Sequence, residues 1–229
     1  MRIVSWNCHG ALRKKFPELL ALAADVYIVQ ECENPAETRH EAYQYWAQNA
    51  LWIGRNKHKG LGVFANTRRL VALDWDSTGL EYFIPFTVGG QLTLVAVWAC
   101  RGDGGSSRYI AQVWAYLQKN QAKTLMAQPL LIGDFNSNAI WDFKRKHNHS
   151  AVVKELAEMG LASIYHTQHQ EKHGEEKQPT FFLYRKLERP YHIDYAFIPK
   201  ALQGSIKISI GRAEDWLMLS DHMPMIIDI

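Results

Sequence analysis

The sequence predicts an α/β protein in which two packed sheets are covered by helices. Three observations point there. Short strand-like runs come in groups with helical stretches between them. The runs within 61–98 and 180–210 follow one another closely enough to pair antiparallel, which disfavours an all-parallel doubly wound sheet. Five strand-like runs end at, or carry, a residue suited to metal or acid–base chemistry: Asn7, Glu31, Asp134 with Asn136, Asp194, and Asp221 with His222. With 229 residues the chain can bury a substantial core, and a single domain over 1–229 is expected.

Residues 2–7 form the first strand. Leu12, Phe16, Leu19, Leu20 and Ala23 then recur at helical spacing, with Pro17 near the start of the regular helix. A buried strand over 26–30 ends at Glu31, and 36–48 reads as a helix carrying Tyr43 and Trp46. Four strand-like runs follow: 61–65, 69–75, 82–88 and 91–98. Gly89-Gly90 marks a hairpin between the last two. Residues 101–105 read as a flexible loop. Ser106 or Ser107 can cap the next helix, whose buried face carries Ile110, Val113, Trp114 and Leu117. A buried strand runs to Ile132, and Gly133 breaks it. A basic loop over 141–149, a helix over 150–159 and a polar, mobile loop over 167–178 come next. Strands at 180–184, 192–198, 205–210 and 225–229 close the chain.

Apolar content of 47% with 21% charged residues fits a soluble globular protein. A net charge of +3 is too small to prove a polyanion partner, so the placement of charge matters more. Basic residues cluster at 13–15, 55–59, 68–69, 144–146 and 185–186, each of which can equally be a solvated surface. Cys8, Cys32 and Cys100 make neither a disulfide framework nor a zinc spacing, and buried thiols in a reducing compartment are expected. There is no signal-peptide pattern and no apolar run long enough to span a membrane. A cytoplasmic monomer is the simplest expectation. His147, His149, His166, His169 and His173 read as loop residues, since zinc ligation without cysteines is uncommon there.

Asp134 and Asn136 stand two residues apart after a buried strand. On extended backbone both point the same way and can hold a water or a hard cation through oxygen. An Asx turn ending the strand accounts for the pair equally well.

Five motifs occur in order: Ser-Trp-Asn (5–7), Val-Gln-Glu (29–31), Gly-Asp-Phe-Asn (133–136), His-Ile-Asp-Tyr (192–195) and Ser-Asp-His (220–222). On this ordered set the chain resembles the exonuclease–endonuclease–phosphatase superfamily. That superfamily includes AP endonucleases, DNase I-like nucleases and inositol polyphosphate phosphatases. The resemblance implies a four-layer sandwich of two packed, mainly antiparallel β-sheets flanked by helices. It implies Glu31 as principal ligand of Mg²⁺, with Mn²⁺ able to substitute, and Asn7 and Asp221 in the same metal region. Asp134 is then the residue that orients or deprotonates the attacking water, and Asn136 positions the phosphate. His222 bonds a phosphoryl oxygen or works as acid–base, and Asp194 fixes its tautomer or raises its pKa.

The chain departs from that pattern twice. Trp98 stands where family members carry His or Tyr, and an indole donates one hydrogen bond but cannot exchange a proton. Either Trp98 donates to the phosphate or Arg101 substitutes as a charged donor. His9 stands where AP endonucleases carry Asp; it can bind a softer metal, touch phosphate or face solvent.

A nucleic acid, DNA first, is the expected substrate. Lys144, Arg145 and Lys146 closely follow the Gly-Asp-Phe-Asn turn and can form a backbone-binding rim, and Trp141 can stack on bases. Phe181 and Phe182 alternate in a strand and are expected in the core. A phosphatase or phosphodiesterase on a small or lipid phosphate, such as an inositol phosphate, is the alternative. A non-catalytic binding module is a third, disfavoured by the complete acid–His set.

Overall fold

The computed structural model describes residues 1–101, 109–143 and 146–229. Its strands in chain order are β1 (Arg2–Asn7), β2 (Val26–Cys32), β3 (Ala50–Asn56), β4 (Lys59–Ala65), β5 (Leu70–Ala72), β6 (Phe83–Val88), β7 (Leu92–Trp98), β8 (Leu130–Asp134), β9 (Leu161–Ser163), β10 (Phe181–Phe182), β11 (Pro190–Tyr191), β12 (Asp194–Pro199), β13 (Lys207–Ile210) and β14 (Met225–Asp228). The helices are α1 (Phe16–Leu20), α2 (Glu41–Trp46), α3 (Ile110–Lys119), α4 (Gln121–Ala127), α5 (His149–Glu158), α6 (Ile164–His169) and α7 (Ala213–Trp216).

Two mixed six-stranded sheets form the body. One has the order β13-β14-β1-β2-β4-β3, the other β5-β6-β7-β8-β12-β9. Only β1/β2 and β7/β8 pair in parallel; the other neighbours are antiparallel. Between the sheets lies an aliphatic core that includes Ile3, Ile28 and Val63 from one sheet and Leu94, Ile132 and Ala196 from the other. Each large side chain of this kind contributes roughly 1.5–3 kcal/mol when fully buried. On the outer face of the first sheet, Leu12, Phe16, Leu19 and Tyr43 cover Val4, Tyr27 and Phe64. On the outer face of the second, Val113, Leu117, Val152 and Leu156 cover Val95, Leu131 and Phe197. The four layers predicted from the sequence are therefore present.

The Gly89-Gly90 hairpin forms with both residues at positive φ, 60° and 73°. Several boundaries differ from expectation. The first helical stretch splits into a short 3-10 turn at Leu12–Lys14 and α1. The second shortens to Glu41–Trp46, with the His40 side chain accepting from Tyr43 N at its start. The strand expected over 69–75 keeps only Leu70–Ala72. Strand β3 and helix α4 were not expected: β3 carries no clean alternation, and α4 buries only Thr124. The largest correction concerns 167–178. It begins within α6, and its loop is pinned rather than free: Glu171 Oε2 accepts from Tyr165 Oη and Lys177 N, and Glu176 Oε1 accepts from Gly174 N. The expected helix cap at Ser106 or Ser107 and the loop over 102–105 lie outside the described residues. No described helix is long and apolar enough to cross a membrane. Cys8, Cys32 and Cys100 are free thiols, the first two buried, and burial pushes all three thiols up.

Candidate active site

The parallel pairs bring the ends of β1, β2, β7 and β8 to one edge. Asn7 lies beside Gln30 in the β1/β2 register, and Trp98 beside Asp134 in β7/β8. Antiparallel β12 starts at the same edge, with Asp194 opposite Asp134. Gly133 makes this approach possible. At φ 152° a side chain is disfavoured, and a Cβ there would lie 1.9 Å from the Val97 carbonyl oxygen. At Glu31 the β2/β4 register slips, and the residue takes φ 63°. A bulge of this kind re-aims a side chain out of strand alternation. Gln30, just before it, stays between the sheets and donates to Ser5 Oγ.

Asp134, Asp194 and His222 are all buried, and one ligand atom of each lies within 4.8 Å of the others. His222 Nδ1 donates to Asp194 Oδ2 at 2.9 Å. Asp134 Oδ2 accepts from Asn7 Nδ2 at 3.0 Å and from Asn136 Nδ2 at 3.1 Å; its Oδ1 accepts from Asn136 N at 2.8 Å. The Asx turn and the site are thus one structure, since the turn holds Asn136 beside the carboxylate. Burial, then the Asp194 charge, raises the Asp134 carboxyl to about 7, against the lowering pull of His222 and the amide bonds. Burial alone would lower His222, but the charge and hydrogen bond of Asp194, then Asp134 and Asp221, lift it to about 10. The site therefore favours an imidazolium at neutral pH.

Backbone contacts hold these groups. Trp6 Nε1 donates to His222 O, and Ser220 Oγ accepts from His222 N while donating to Asn7 O. Thr180 Oγ1 accepts from both Ile193 N and Asp194 N, fixing the start of β12. Phe181 lies against His222, ring centroids 4.6 Å apart, whereas Phe182 joins the core as expected. Trp6 and Ser220 lie within two of the quoted motifs without a role of their own, and Thr180 lies in none, because a residue that positions another carries no spacing signal.

The expected metal residues are near but differently engaged. Glu31 Oε2 meets Lys59 Nζ at 2.8 Å, and Asp221 Oδ1 meets His9 Nδ1 at 3.1 Å. His9 therefore contacts Asp221 rather than simply facing solvent. Asn7 Oδ1 accepts from His9 N. Two carboxylates and an amide make a sparse set of hard oxygens, and Lys59 already puts a cation on Glu31; this donor set suits Mg²⁺. Trp98 is buried, its Nε1 without a hydrogen-bond partner among the described residues, and Lys59 Nζ stands 5.6 Å from its ring.

Arg101 and Lys146 are exposed. Trp141 is exposed, its ring 5.1 Å from that of Tyr191. Lys144 and Arg145 lie outside the described residues.

No family model matches the chain, and neither does any curated protein. Solved structures do. A 3'-5' exonuclease (NExo) from Neisseria meningitidis is 19% identical with a TM-score of 0.76, over 100% of this chain and 99% of that one. A variant of the 3' phosphatase NExo from Neisseria, bound to a product DNA hairpin, gives 0.71 at 19% identity over the same shares. An AP endonuclease from Archaeoglobus fulgidus gives 0.71 at 16% identity, over 100% and 99%.

Proposed function

From the DNase I-like fold that these likenesses show, we propose that this chain is a divalent-cation-dependent phosphodiester hydrolase acting on DNA. The observation that carries the reading is the buried His222–Asp194 pair beside Asp134 at the shared sheet edge. A bound Mg²⁺ or Mn²⁺ would be held by Glu31, with Asn7 and Asp221, and would supply positive charge to the phosphoryl group.

The chain's own residues do the rest. Asp134, once ionised, takes a proton from the attacking water or orients it. Asn136, fixed by its bonds to Asp134, presents its amide to a phosphoryl oxygen. His222, held cationic by Asp194, donates to the phosphoryl group as negative charge grows there. The orphan Nε1 of Trp98 supplies a further donor that this charge can satisfy. Arg101 is an exposed rim donor. His9 serves through Asp221, not as a metal ligand itself.

DNA is favoured because neighbours of this fold carry DNA-directed names, and because basic Lys146 and exposed Trp141 follow the Asn136 turn. Lys144 and Arg145 extend the same rim in sequence. One neighbour is named both exonuclease and 3' phosphatase, so DNA ends bearing a 3' phosphate belong among the substrates.

The test is a cleavage panel with and without chelator: plasmid, single-stranded DNA, an abasic duplex, a 3'-phosphorylated duplex, RNA and a soluble inositol polyphosphate. Turnover of DNA that is lost in chelator, in Glu31→Gln and in His222→Ala supports the reading. Phosphate release from the inositol compound alone overturns the substrate class. Full rate in His222→Ala overturns the mechanism.

A further inference from the structure

Four histidines and a glutamate crowd together around the 167–178 segment that the sequence predicts as a mobile loop. His149 opens α5, His166 lies on α6, and His173 and Glu176 follow on the pinned segment; His192 stands just before β12. One ligand atom from each of His166, His173 and Glu176 lies within 4.8 Å of the other two. His166 Nε2 is 3.0 Å from Glu176 Oε1, and His149 Nε2 is 2.9 Å from His173 Nδ1. Donor atoms on one tetrahedral zinc stand about 3.3 Å apart, so the His166–Glu176 contact needs to open by only a few tenths of an ångström, while the stacked rings of His166 and His173, centroids 3.5 Å apart, must tilt to aim both lone pairs at one ion.

We propose that His166, His173 and Glu176 bind a borderline divalent cation of the zinc type, with the fourth position left to water. Two imidazoles with one carboxylate suit zinc and its transition-metal neighbours, not Mg²⁺, which prefers an all-oxygen shell.

The surroundings have the form of a supporting shell. Ser163 Oγ stands 2.7 Å from His166 Nδ1, leaving Nε2 as the ligand nitrogen. Glu176 Oε2 accepts from Asn138 Nδ2 at 3.0 Å, and its Oε1 from Gly174 N at 3.0 Å, so both oxygens are oriented. A cluster built only for hydrogen bonding leaves no ring nitrogen over. Here His192 donates from Nδ1 to Gln178 O, and its buried Nε2 keeps a lone pair with no donor among the described residues. That ring lies 5.9 Å from the ring of His166, edge to face. An open pocket of about 320 Å³, bordered by His166, His173, Ser163 and Phe197, gives an ion a way in.

Such an ion is a staple. It ties α6 to the 170–178 segment, which meets α5 through the His149–His173 contact, and Asn138 links Glu176 to the carbonyl of His192. From there the chain runs directly to Asp194 in the candidate active site. The ion contacts no residue assigned a role in hydrolysis, and the inference stands whether or not that reading holds.

The test uses the full chain stripped with chelator and then titrated with Zn²⁺ or Co²⁺. One equivalent of Zn²⁺ is expected to bind at micromolar concentration or below. Co²⁺ should give the intense visible bands of a four-coordinate nitrogen–oxygen site. At a hundredfold excess over Kd the Tm should rise by about 5–10 °C. His173→Ala and Glu176→Gln should each weaken binding on the order of a hundredfold, while Glu31→Gln should leave it unchanged. Wild-type protein with no cobalt bands and no zinc heat at 100-fold excess over protein overturns the proposal, whatever the variants do. So does binding that survives His173→Ala, or that disappears in Glu31→Gln, since the ion would then sit in the other site.

Discussion

Replacing Asp194 by Asn keeps the size of the side chain and removes its charge, which isolates what that charge does to His222. Both residues are nearly inaccessible, at 2% and 5% exposure, so solvent screens little of their interaction. In the wild type the carboxylates outweigh burial and lift His222 from an ordinary 6.5 to about 10. At about 1.4 kcal/mol per pH unit, this preference for the imidazolium amounts to roughly 5 kcal/mol. Without the Asp194 charge, burial becomes the leading influence, and the pKa should fall well below 10. Near pH 7.5 the ring then passes from mostly charged toward neutral and loses its tautomer guide. A charged donor that only partly remains should cost about 10²–10⁴ in kcat. Nitrogen-15 spectra of the histidines from pH 5 to 10 read the titration directly, and kcat measured over the same range reads its consequence. The variant should regain some activity as pH falls and the ring recharges, until protonation of Asp134 removes the base. Wild-type His222 titrating at or below 6.5, or a variant within threefold of the wild-type rate at pH 7.5, would refute the reasoning.

Gly133→Ala places a Cβ 1.9 Å from the Val97 carbonyl in the centre of the second sheet, and the urea midpoint should fall by the equivalent of about 3 kcal/mol or more. Gly89→Ala, at φ 60° with nothing within 4 Å, should cost only about 1 kcal/mol. Lys59→Met frees the Glu31 carboxylate from a half-exposed ion pair. Half-saturation in Mg²⁺ should move lower by no more than about fivefold, as such pairs are worth about 0–1 kcal/mol; a higher Mg²⁺ requirement would contradict competition at Glu31. In chelator, stability should peak near neutral pH. His149, His173 and His192 have lowered folded pKa values, so below about 6.5 the unfolded chain takes up protons that the folded one does not, and stability falls with pH. Asp134, raised to about 7, opposes that fall but is one group against three. His222 is raised, so its contribution is full below about 6.5 and is lost as pH climbs through about 10. A urea midpoint that rises steadily from pH 6.5 to 4.5 would contradict this accounting.

The layers and the residues gathered at the candidate site were legible in the sequence from local signals, except the pairing of His222 with Asp194, which rests on the family resemblance because 28 positions separate them. Apolar runs mark the strands, and the strand-end motifs carry Asn7, Glu31, Asp134, Asp194 and His222 to one edge. What was not legible rests on long-range placement. Lys59 on Glu31 joins residues on neighbouring strands, and His9 on Asp221 joins the two ends of the chain. Thr180 acts only through backbone N–H groups of 193 and 194. The histidine cluster was missed for another reason. Without cysteines and without an apolar period, 166–176 has the composition of a loop. The usable signal was the recurrence of His166, His173 and Glu176 within eleven positions of a segment flanked by buried strands.

The backbone conformations at the edge point the same way as the chemistry. Glu31, Asn136 and His9 take φ of 63°, 47° and 52°, a region that costs a non-glycine residue about 1–2 kcal/mol. At Glu31 the strand is interrupted in the middle of its pairing, where continuing β2 unbroken would be less strained. The interruption turns the carboxylate away from the alternation that keeps Gln30 and Cys32 buried. At Asn136 the left-handed turn is what lets its backbone N–H and its side-chain amide both reach Asp134. Replacing either residue by Gly should therefore relieve local strain and raise stability by up to about 1 kcal/mol, while removing the group that strain holds in place. Stability gained together with activity lost, at both positions, is the signature expected of conformations kept for the reaction. A loss of stability at both would mean that their side-chain contacts, not the site, sustain the strain.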